Sequence, residues 1–306
     1  MAHSGQIRRQ NMARVDIHAH ILPGLDDGPV TVEESLAMAR MAALDGTDTI
    51  VATPHYRDME LERQSPRMVR DLADTLNAAL RSDSAQRNAP SVRIFTGMTN
   101  RLDTLLPDLV DAESAITLNR TRFLLVEPPF NRAPAYIEDV IGRLLTQRLV
   151  PVLAHPERNI EFQRRPKRLQ GLVDEGVVVQ IAADSLTGQN GPGARRAAEQ
   201  FIRRGIAHVV ASEMHAVGPP RPPGLSDAFD IVAELIDEQG AIDLFETNPN
   251  MILEGHSPKR EPIVSPRVPR VWVRIPSLKI SNPVSDRMRR RWRRRIRRIR
   301  RRTNRA

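Results

Sequence analysis

Short apolar runs rich in β-branched residues recur along most of the chain, and longer segments with apolar residues three or four positions apart lie between them. The first pattern is typical of buried strands, and the second is typical of amphipathic helices. Seven runs fit a strand, and they cover residues 15–20, 49–53, 92–95, 123–127, 150–154, 177–181 and 207–211.

The segment between the first two runs carries the clearest helix signals. Thr31 and Glu34 have the spacing of a capping box, an apolar face follows them, and Gly46 marks the end. Further helices are predicted at 65–80, 134–147, 166–175, 193–204 and 226–239. Because strands and helices alternate, the sequence predicts an α/β fold with a parallel sheet, open or closed into a barrel. Either arrangement places functional side chains at the carboxyl ends of the strands.

The composition changes near residue 257, where proline, serine, arginine and lysine become dominant. A chain of 306 residues is long enough for one α/β barrel with an appended segment. Near the end, Met288, Trp292, Ile296 and Ile299 recur at helical spacing among arginines. The predicted parts are an N-terminal extension at 1–14, a globular domain at 15–256, a proline-rich linker at 257–285 and an arginine-rich tail at 286–306 that can form an amphipathic helix.

The net charge of +9 comes from this tail. Residues 286–306 hold thirteen arginines and one aspartate, a local charge of +12 that leaves −3 for the rest of the chain. The globular part therefore gives no sign of a nucleic-acid groove. For the tail, we favour an anionic membrane surface as the partner over nonspecific nucleic-acid binding and over a disordered, solubilising role.

Two absences in the sequence narrow the classes of protein. No stretch approaches the roughly 20 apolar residues that span a bilayer, and the basic N-terminus lacks the apolar segment of a secretory signal, so we expect a cytoplasmic protein. The chain has no cysteine, which excludes a cysteine nucleophile and thiolate metal ligands. Its eight histidines favour a metal-activated water for hydrolytic chemistry.

The sharpest chemical signal is the run DIHAH, residues 16–20, at the end of the first predicted strand. Because residues two apart in a strand point to the same side, His18 and His20 can reach one metal ion. Asp26 and Asp27 follow a turn and can reach the same place. Four other strand ends carry histidines or carboxylates, namely His55, Glu127, His155 with Glu157, and Glu213 with His215.

Five of the seven predicted strands thus end in a histidine or a carboxylate. A lone histidine is more often a surface or core residue than a ligand, and we assign His3, His208 and His256 to that class. Polar residues that merely terminate strands do not account for five coincident ends. Nitrogen and oxygen donors without sulfur fit Mn²⁺, Fe or Zn²⁺. Two or three such ions would activate water and offset phosphate charge.

These segments resemble a known family. The runs VDIHAHILPGLDDGP, VATPHY, LLVEPPF, VLAHPERN, VVQIAADSLTG and VVASEMHAV are similar in order and spacing to the polymerase-and-histidinol-phosphatase (PHP) type of bacterial protein-tyrosine phosphatase. The resemblance covers roughly residues 15–250. It implies a distorted (β/α)7 barrel of the PHP type with a manganese cofactor. It also implies that the substrate is a phosphotyrosine protein, a bacterial tyrosine kinase that regulates capsule or exopolysaccharide synthesis at the inner membrane.

The resemblance further implies a metal cluster at the mouth of the barrel. Its ligands would be His18, His20, Asp27, His55, Glu127, His155, Glu213 and His215. Arg158 would bind the phosphate, with Arg221 as a second candidate, because a guanidinium donates two parallel hydrogen bonds. Phosphate would be released directly, with no phosphoenzyme.

Two positions depart from the family pattern. Thr99 stands where the family has a metal-bridging glutamate, which removes a negative charge from between closely spaced cations. Glu213 stands where the family has an aspartate, and it places its carboxylate one methylene further out. Beside these ligands, we expect Glu157 to pair with Arg158, and Asp184 to lie behind the cluster.

Three other functions are weighed against the tyrosine phosphatase. One is a PHP phosphatase for a small phosphomonoester such as histidinol phosphate. Another is an impaired PHP pseudoenzyme that acts as a binding module, which Thr99 would favour. An amidohydrolase also uses a paired-histidine strand, but it needs a metal-bridging lysine. The lysines of this chain are Lys167, Lys259 and Lys279, and none of them ends a predicted strand.

Overall fold

Parallel strands alternate with helices in the computed structural model of the protein, which describes residues 13–55, 65–112 and 114–259. The strands are β1 (Arg14–Ala19), β2 (Thr47–Ala52), β3 (Arg93–Thr96), β4 (Asn100–Arg101), β5 (Phe123–Glu127), β6 (Val150–Ala154), β7 (Val178–Ala182) and β8 (Val209–Ala211). All seven predicted strands are present, and the two-residue β4 was not predicted.

The helices follow the strands in the expected places. They are α1 (Val32–Leu44), α2 (Pro66–Arg87), α3 (Leu106–Asp111), α4 (Ile137–Thr146), α5 (Ile160–Arg164), α6 (Pro166–Glu175), α7 (Ala183–Thr187), α8 (Gly191–Arg203), α9 (Ser226–Leu235), α10 (Glu238–Ile242) and α11 (Asn248–Leu253). Short 3₁₀ turns occupy Leu118–Arg120 and Pro156–Arg158, and a π-helical turn occupies Asp243–Thr247.

Local capping signals explain where several helices begin and end. The capping box predicted from Thr31 and Glu34 is present at the start of α1. The chain leaves α1 at Gly46, whose φ of +98° is a conformation that glycine adopts without strain. Helix α9 stops at Leu235, four residues before the predicted end, because Asp237 caps a new helix by accepting from the Gly240 amide.

The strands form a distorted barrel. Parallel pairing gives one sheet in the order β1-β2-β3 and another in the order β4-β5-β6-β7-β8. The first strand meets the last where Glu213 N donates to His18 O and His20 N donates to Met214 O, each at 2.9 Å. On the other side of the barrel, β3 pairs with β2. The chain then continues into β4, which pairs with β5. With β3 and β4 counted as one interrupted strand, the predicted (β/α)7 barrel is confirmed.

Strand alternation separates the inner core from the helix-facing core. On β5, Phe123 and Leu125 pack in a buried cluster of strand residues, whereas Leu124 and Val126 pack against the surrounding helices. Glu127 continues the inner series and therefore emerges at the carboxyl end of the barrel. His155 directly follows the inner residue Ala154, so it enters the mouth through a change in backbone direction and not through this alternation.

The remaining predictions on domain boundaries fall largely outside the described residues. The chain divides into two units, Met1–Pro266 and Arg267–Ala306, and every described residue belongs to the first. His3, almost all of the extension at 1–14, the linker after residue 259 and the tail at 286–306 lie outside the described part. Within that part, no helix is both long and apolar enough to cross a membrane.

Candidate metal centre at the barrel mouth

The carboxyl ends of the strands converge at one end of the barrel, which we call the mouth. All ten residues predicted as metal ligands or phosphate-binding arginines lie there. The first two strands and the turns behind them supply His18, His20, Asp27 and His55, β5 supplies Glu127, the turn after β6 supplies His155 and Arg158, and the segment after β8 supplies Glu213, His215 and Arg221.

The donor atoms fall into two sets, and within each set they lie within 4.8 Å of one another. The His20 set comprises His20, Asp27, His55 and His215, and the His155 set comprises Glu127, His155 and Glu213. His18 contacts both sets, with its Nε2 3.2 Å from His20 Nε2 and its ring centroid 5.7 Å from that of His155. The mouth is therefore one continuous cluster of donors rather than two separate sites.

Three buried histidines are each held through one ring nitrogen. The side-chain oxygen of Gln180 lies 3.0 Å from His18 Nδ1, and Asp26 Oδ2 lies 2.6 Å from His20 Nδ1. His215 Nδ1 lies 2.7 Å from the backbone oxygen two residues before it. Since these oxygens can only accept, Nδ1 carries the proton in each ring and the Nε2 lone pair faces the cluster.

This arrangement fits a divalent cation. The Nε2 atoms of His18 and His20 are 3.2 Å apart, and two nitrogen lone pairs at that distance repel unless a positive charge lies beside them. The surrounding donors are imidazoles and carboxylates without sulfur, a set that suits Mn²⁺, Fe or Zn²⁺. The residues present therefore fit the metal that the sequence predicts.

Burial sets the charge of the histidines. It lowers the pKa of His18 well below its ordinary value and that of His20 to about 4, because the imidazolium form loses its hydration. Burial acts the same way on His155, but the carboxylates of Glu213 and Glu127 outweigh it and raise the pKa of that residue. His18 and His20 are thus neutral near pH 7, as metal ligands must be.

The carboxylates of the mouth are anionic. Burial would raise the pKa of Glu127, but His155 and His55 lower it to about 2. His215 and the Arg221 guanidinium, which lie beside Asp27, hold the pKa of that carboxyl far below its usual range. Carboxylates that stay charged well below pH 7 supply the negative charge that a pair of dications needs.

The two arginines bind carboxylates of the mouth. Arg158 Nη1 lies 2.8 and 2.7 Å from the two oxygens of Glu213. Arg221 Nη2 donates to Asp27 Oδ2 at 3.0 Å, and its Nη1 lies 2.7 Å from His215 Nε2. Both guanidinium groups are therefore at the edge of the donor cluster, with about a quarter of each side chain exposed to incoming anions.

Left-handed backbone brings two ligands into the mouth. His155 directly follows β6 with a φ of 33°, and Glu213 follows β8 with a φ of 57°. Non-glycine residues adopt this region at a cost of about 1–3 kcal/mol, and such residues cluster at functional sites. The backbone thus turns sharply at two of the three strand ends that supply the His155 set.

Thr99, at which the resemblance implies a bridging carboxylate in the family, lies beside His18. It is 1% exposed, and its Oγ1 donates to the backbone oxygen of Thr53 at 2.9 Å. The same Thr99 Oγ1 lies 3.3 Å from His18 Nε2. Its hydroxyl brings no charge to the cluster. The acid that contacts both donor sets is Glu127, whose Oε2 lies 3.6 Å from His55 Nδ1 and whose Oε1 lies 3.1 Å from His155 Nε2.

One predicted contact is wrong. Glu157 does not pair with Arg158; its Oε1 accepts from the Ala182 amide at 3.0 Å and from Ser185 Oγ at 2.6 Å. The 3₁₀ turn at Pro156–Arg158 points neighbouring side chains in different directions, so Glu157 is fully buried while Arg158 faces Glu213.

The sequence placed Asp26 near the metal without showing that it holds His20, and it gave no role to Gln180. Asp26 fixes His20 through Nδ1 and also accepts from the His55 amide at 2.9 Å. Gln180 fixes His18 from across the barrel. Gln180 did leave a signal, since it is the one polar residue of the otherwise apolar strand Val178–Ala182.

The chain is similar in sequence to known proteins. The model of the family described as "Capsular polysaccharide synthesis, CpsB/CapC" matches residues 14–254. The chain is 34% identical over 203 residues to the tyrosine-protein phosphatase YwqE of Bacillus subtilis. The matched region covers 66% of this chain and 78% of YwqE. It is 30% identical over 244 residues to the tyrosine-protein phosphatase CpsB of Streptococcus pneumoniae, covering 78% of this chain and 98% of that protein.

The fold is also similar to a solved structure from the work on YwqE of Bacillus subtilis and CpsB of Streptococcus pneumoniae, described as metal-dependent tyrosine phosphatases. The TM-score is 0.74 at 30% identity, and the match covers 81% of this chain and 98% of the solved chain. The similarity therefore extends over nearly the whole of that protein and over the barrel described above.

Proposed function

We propose that this chain, which belongs to the CpsB/CapC capsular polysaccharide synthesis family, is a metal-dependent protein-tyrosine phosphatase. The convergence of two donor sets and two arginines at one barrel mouth is the observation that carries the proposal. The tyrosine-phosphatase names of YwqE and CpsB support phosphotyrosine as the group that is hydrolysed.

The proposal includes the residues that hold the metal. His20, Asp27, His55 and His215 would hold one ion, and Glu127, His155 and Glu213 would hold a second, with His18 between them. We favour Mn²⁺ because the donors mix hard carboxylates with imidazoles, with Fe and Zn²⁺ as the alternatives. A third ion, expected from the family pattern, lacks its bridging acid at Thr99.

Bound metal supplies an activated water and offsets phosphate charge. The chain itself supplies the remaining functions. Arg158 and Arg221 lie at the edge of the cluster, where their guanidinium groups can exchange a carboxylate partner for phosphate oxygens. The pKa of a tyrosine phenol is near 10, so the phenolate leaves phosphorus more readily than a serine alkoxide does. The proton that completes the tyrosine hydroxyl can come from solvent.

The partner in this proposal is a bacterial tyrosine kinase of a capsule or exopolysaccharide system. The family description supports that setting. The arginine-rich tail at 286–306 would bring the enzyme to anionic lipid at the inner membrane, next to such a kinase. In this proposal, as predicted from the sequence, the phosphatase domain covers residues 15–256 and the linker covers residues 257–285.

The experiment that tests the function pairs metal content with phosphate release. Purified protein is analysed for metal by mass spectrometry, and Mn²⁺-dependent hydrolysis of a phosphotyrosine peptide is measured in parallel. His155→Ala should lose both metal and activity by at least about 100-fold, because it removes the centre of one donor set. His256→Ala is the matched control, since that histidine is 67% exposed and pairs with Glu254.

One observation favours a second candidate, a phosphotyrosine-binding module without catalysis. Thr99 places a neutral hydroxyl 3.3 Å from His18 Nε2, where an acid would bridge two ions. Wild-type protein that binds the phosphotyrosine peptide, holds at most one ion and releases no phosphate would establish the binding module and exclude the phosphatase.

A further inference from the structure

Phe130 is an exposed aromatic ring at the rim of the mouth. All seven phenylalanines of the chain lie in the described part, and Phe130 alone is exposed, at 44%. It lies three residues after Glu127, on the loop that leaves β5. Single exposed apolar side chains are common on protein surfaces, so the significance of this ring depends on the residues that it contacts.

The ring contacts two residues of the candidate site. Its centroid lies 5.5 Å from that of the His155 imidazole, with the planes 22° apart. The guanidinium carbon of Arg158 lies over the ring, 4.4 Å from its centroid. Phe130 is therefore adjacent both to the metal-ligand set and to the arginine proposed to bind phosphate.

The loop that carries Phe130 is held in place. Ile160 N donates to Phe130 O at 3.1 Å, and the Asn159 side-chain amide donates to Pro129 O. Asn159 is 1% exposed, and its own oxygen caps α5 by accepting from two amides of that helix. Two prolines precede the ring and restrict the backbone further. The ring is thus a fixed surface rather than a flexible side chain on a loose loop.

We propose that Phe130 is the specificity-determining residue that selects aryl over alkyl phosphomonoesters. The inference rests on the proposed phosphatase function. A phosphate on Arg158 places the group attached to its ester oxygen beside the ring of Phe130, within the range of about 4.5–7 Å at which aromatic rings attract each other. The phenyl ring of phosphotyrosine can stack there, whereas the short methylene of phosphoserine cannot.

The test compares two peptides that differ in one phosphorylated residue. Mn²⁺-loaded, full-length Phe130→Leu and Phe130→Tyr are assayed on a phosphotyrosine peptide and on its phosphoserine counterpart. In Phe130→Leu, the ratio of kcat/KM values for the two peptides should fall roughly 3- to 10-fold, mainly through a higher KM for phosphotyrosine. Phe130→Tyr keeps the ring and should keep the ratio. Leu44→Ala, at an exposed leucine on the last turn of α1, should leave both rates unchanged.

A binding measurement separates this inference from the proposed function. Calorimetry compares phenylphosphonate with methylphosphonate, neither of which is hydrolysed, on the same metal-loaded proteins. Wild type should prefer the phenyl ligand, and Phe130→Leu should lose that preference whether or not wild type shows any turnover. An unchanged preference in Phe130→Leu, an equal loss for both ligands, or no phosphonate binding by wild type would overturn the inference. Activity on neither peptide with an intact phenyl preference would refute only the phosphatase.

Discussion

Gln180 is a polar side chain inside an apolar strand, and it orients a candidate ligand from across the barrel. Its oxygen lies 3.0 Å from His18 Nδ1, which fixes the ring so that Nε2 faces the metal donors. It is fully buried and contributes no donor to either set. Residues of this kind raise metal affinity without touching the metal.

We predict that Gln180→Leu lowers Mn²⁺ affinity by roughly 10- to 100-fold, because the His18 ring loses the acceptor that fixes its tautomer. Leucine has a similar volume, so the fold should survive. Gln180→Glu keeps an acceptor and is expected to retain more of the affinity. Isothermal titration with Mn²⁺ measures both, and equal affinity in wild type and Gln180→Leu would contradict the assigned role.

Thr99 is the position at which a carboxylate would add negative charge to the cluster. We predict that Thr99→Glu increases Mn²⁺ affinity by at least about tenfold, because unit charges about 4 Å apart interact by about 4 kcal/mol at the effective dielectric of a protein surface. The cost of burying the new acid offsets part of this gain. Metal stoichiometry by mass spectrometry should rise with the affinity.

Thr99→Gln is the matched control, since it has the size of glutamate and no charge. The same behaviour in both variants would mean that volume, not charge, limits the site. A large gain in phosphate release in Thr99→Glu alone would mark the natural site as impaired. Unchanged activity in every variant would mean that the cluster functions without the bridging acid.

At the scale of elements, the interruption between β3 and β4 shapes the mouth. Gly97 N donates to Ala52 O at 2.9 Å, and Thr99 N donates to Pro54 O at 3.0 Å, after which the chain pairs with β5. A Cβ at Gly97 would lie 2.8 Å from Leu118 Cδ2 and 3.1 Å from Thr53 Cγ2. Close approach at this glycine lets the chain bend and brings Thr99 beside the histidines.

We therefore predict that Gly97→Ala destabilises the protein by about 1–3 kcal/mol through overpacking. Gly142→Ala provides the opposite case, because no atom lies within 4 Å of a Cβ at Gly142 in α4. That change should be neutral or stabilise the helix by up to about 1 kcal/mol. Urea unfolding of the two variants measures the difference, and equal stability would contradict the close-approach explanation.

At the scale of the whole molecule, the tail and the rest of the chain differ in net charge. Thirteen arginines lie within residues 286–306, and the rest of the chain carries a net −3. Basic residues near an anionic lipid surface contribute about 1 kcal/mol each, and salt screens the effect. Membrane attraction, where it occurs, should therefore depend on the tail alone.

Removal of residues 286–306 is predicted to reduce binding to vesicles rich in phosphatidylglycerol by at least about 100-fold at low salt. Hydrolysis of a small aryl phosphate should not change, because every candidate ligand lies before residue 216 and the two arginines proposed to bind phosphate lie before residue 222. Vesicle co-sedimentation with and without the tail tests this, with phosphatidylcholine vesicles as the control. Retained vesicle binding after truncation would place the attraction elsewhere in the chain.

The sequence by itself determined the seven strands, the capping box at Thr31 and the polar strand ends, because these features follow from local periodicity and short-range spacing. Parallel strands must deliver their carboxyl ends to one side, so the meeting of the predicted residues at the mouth also followed. Its resemblance to the PHP phosphatases gave the family, which the CpsB/CapC match then confirmed.

Only the tertiary structure decided which partners these residues take. Arg158 binds Glu213 rather than its sequence neighbour Glu157, and Gln180 reaches His18 from a strand that is distant in sequence. The contact between the Phe130 ring and the Arg158 guanidinium is likewise seen only in the tertiary structure. Such contacts depend on strand register and on turn geometry, including the left-handed backbone at Glu213, and these arise from packing between segments far apart in the chain.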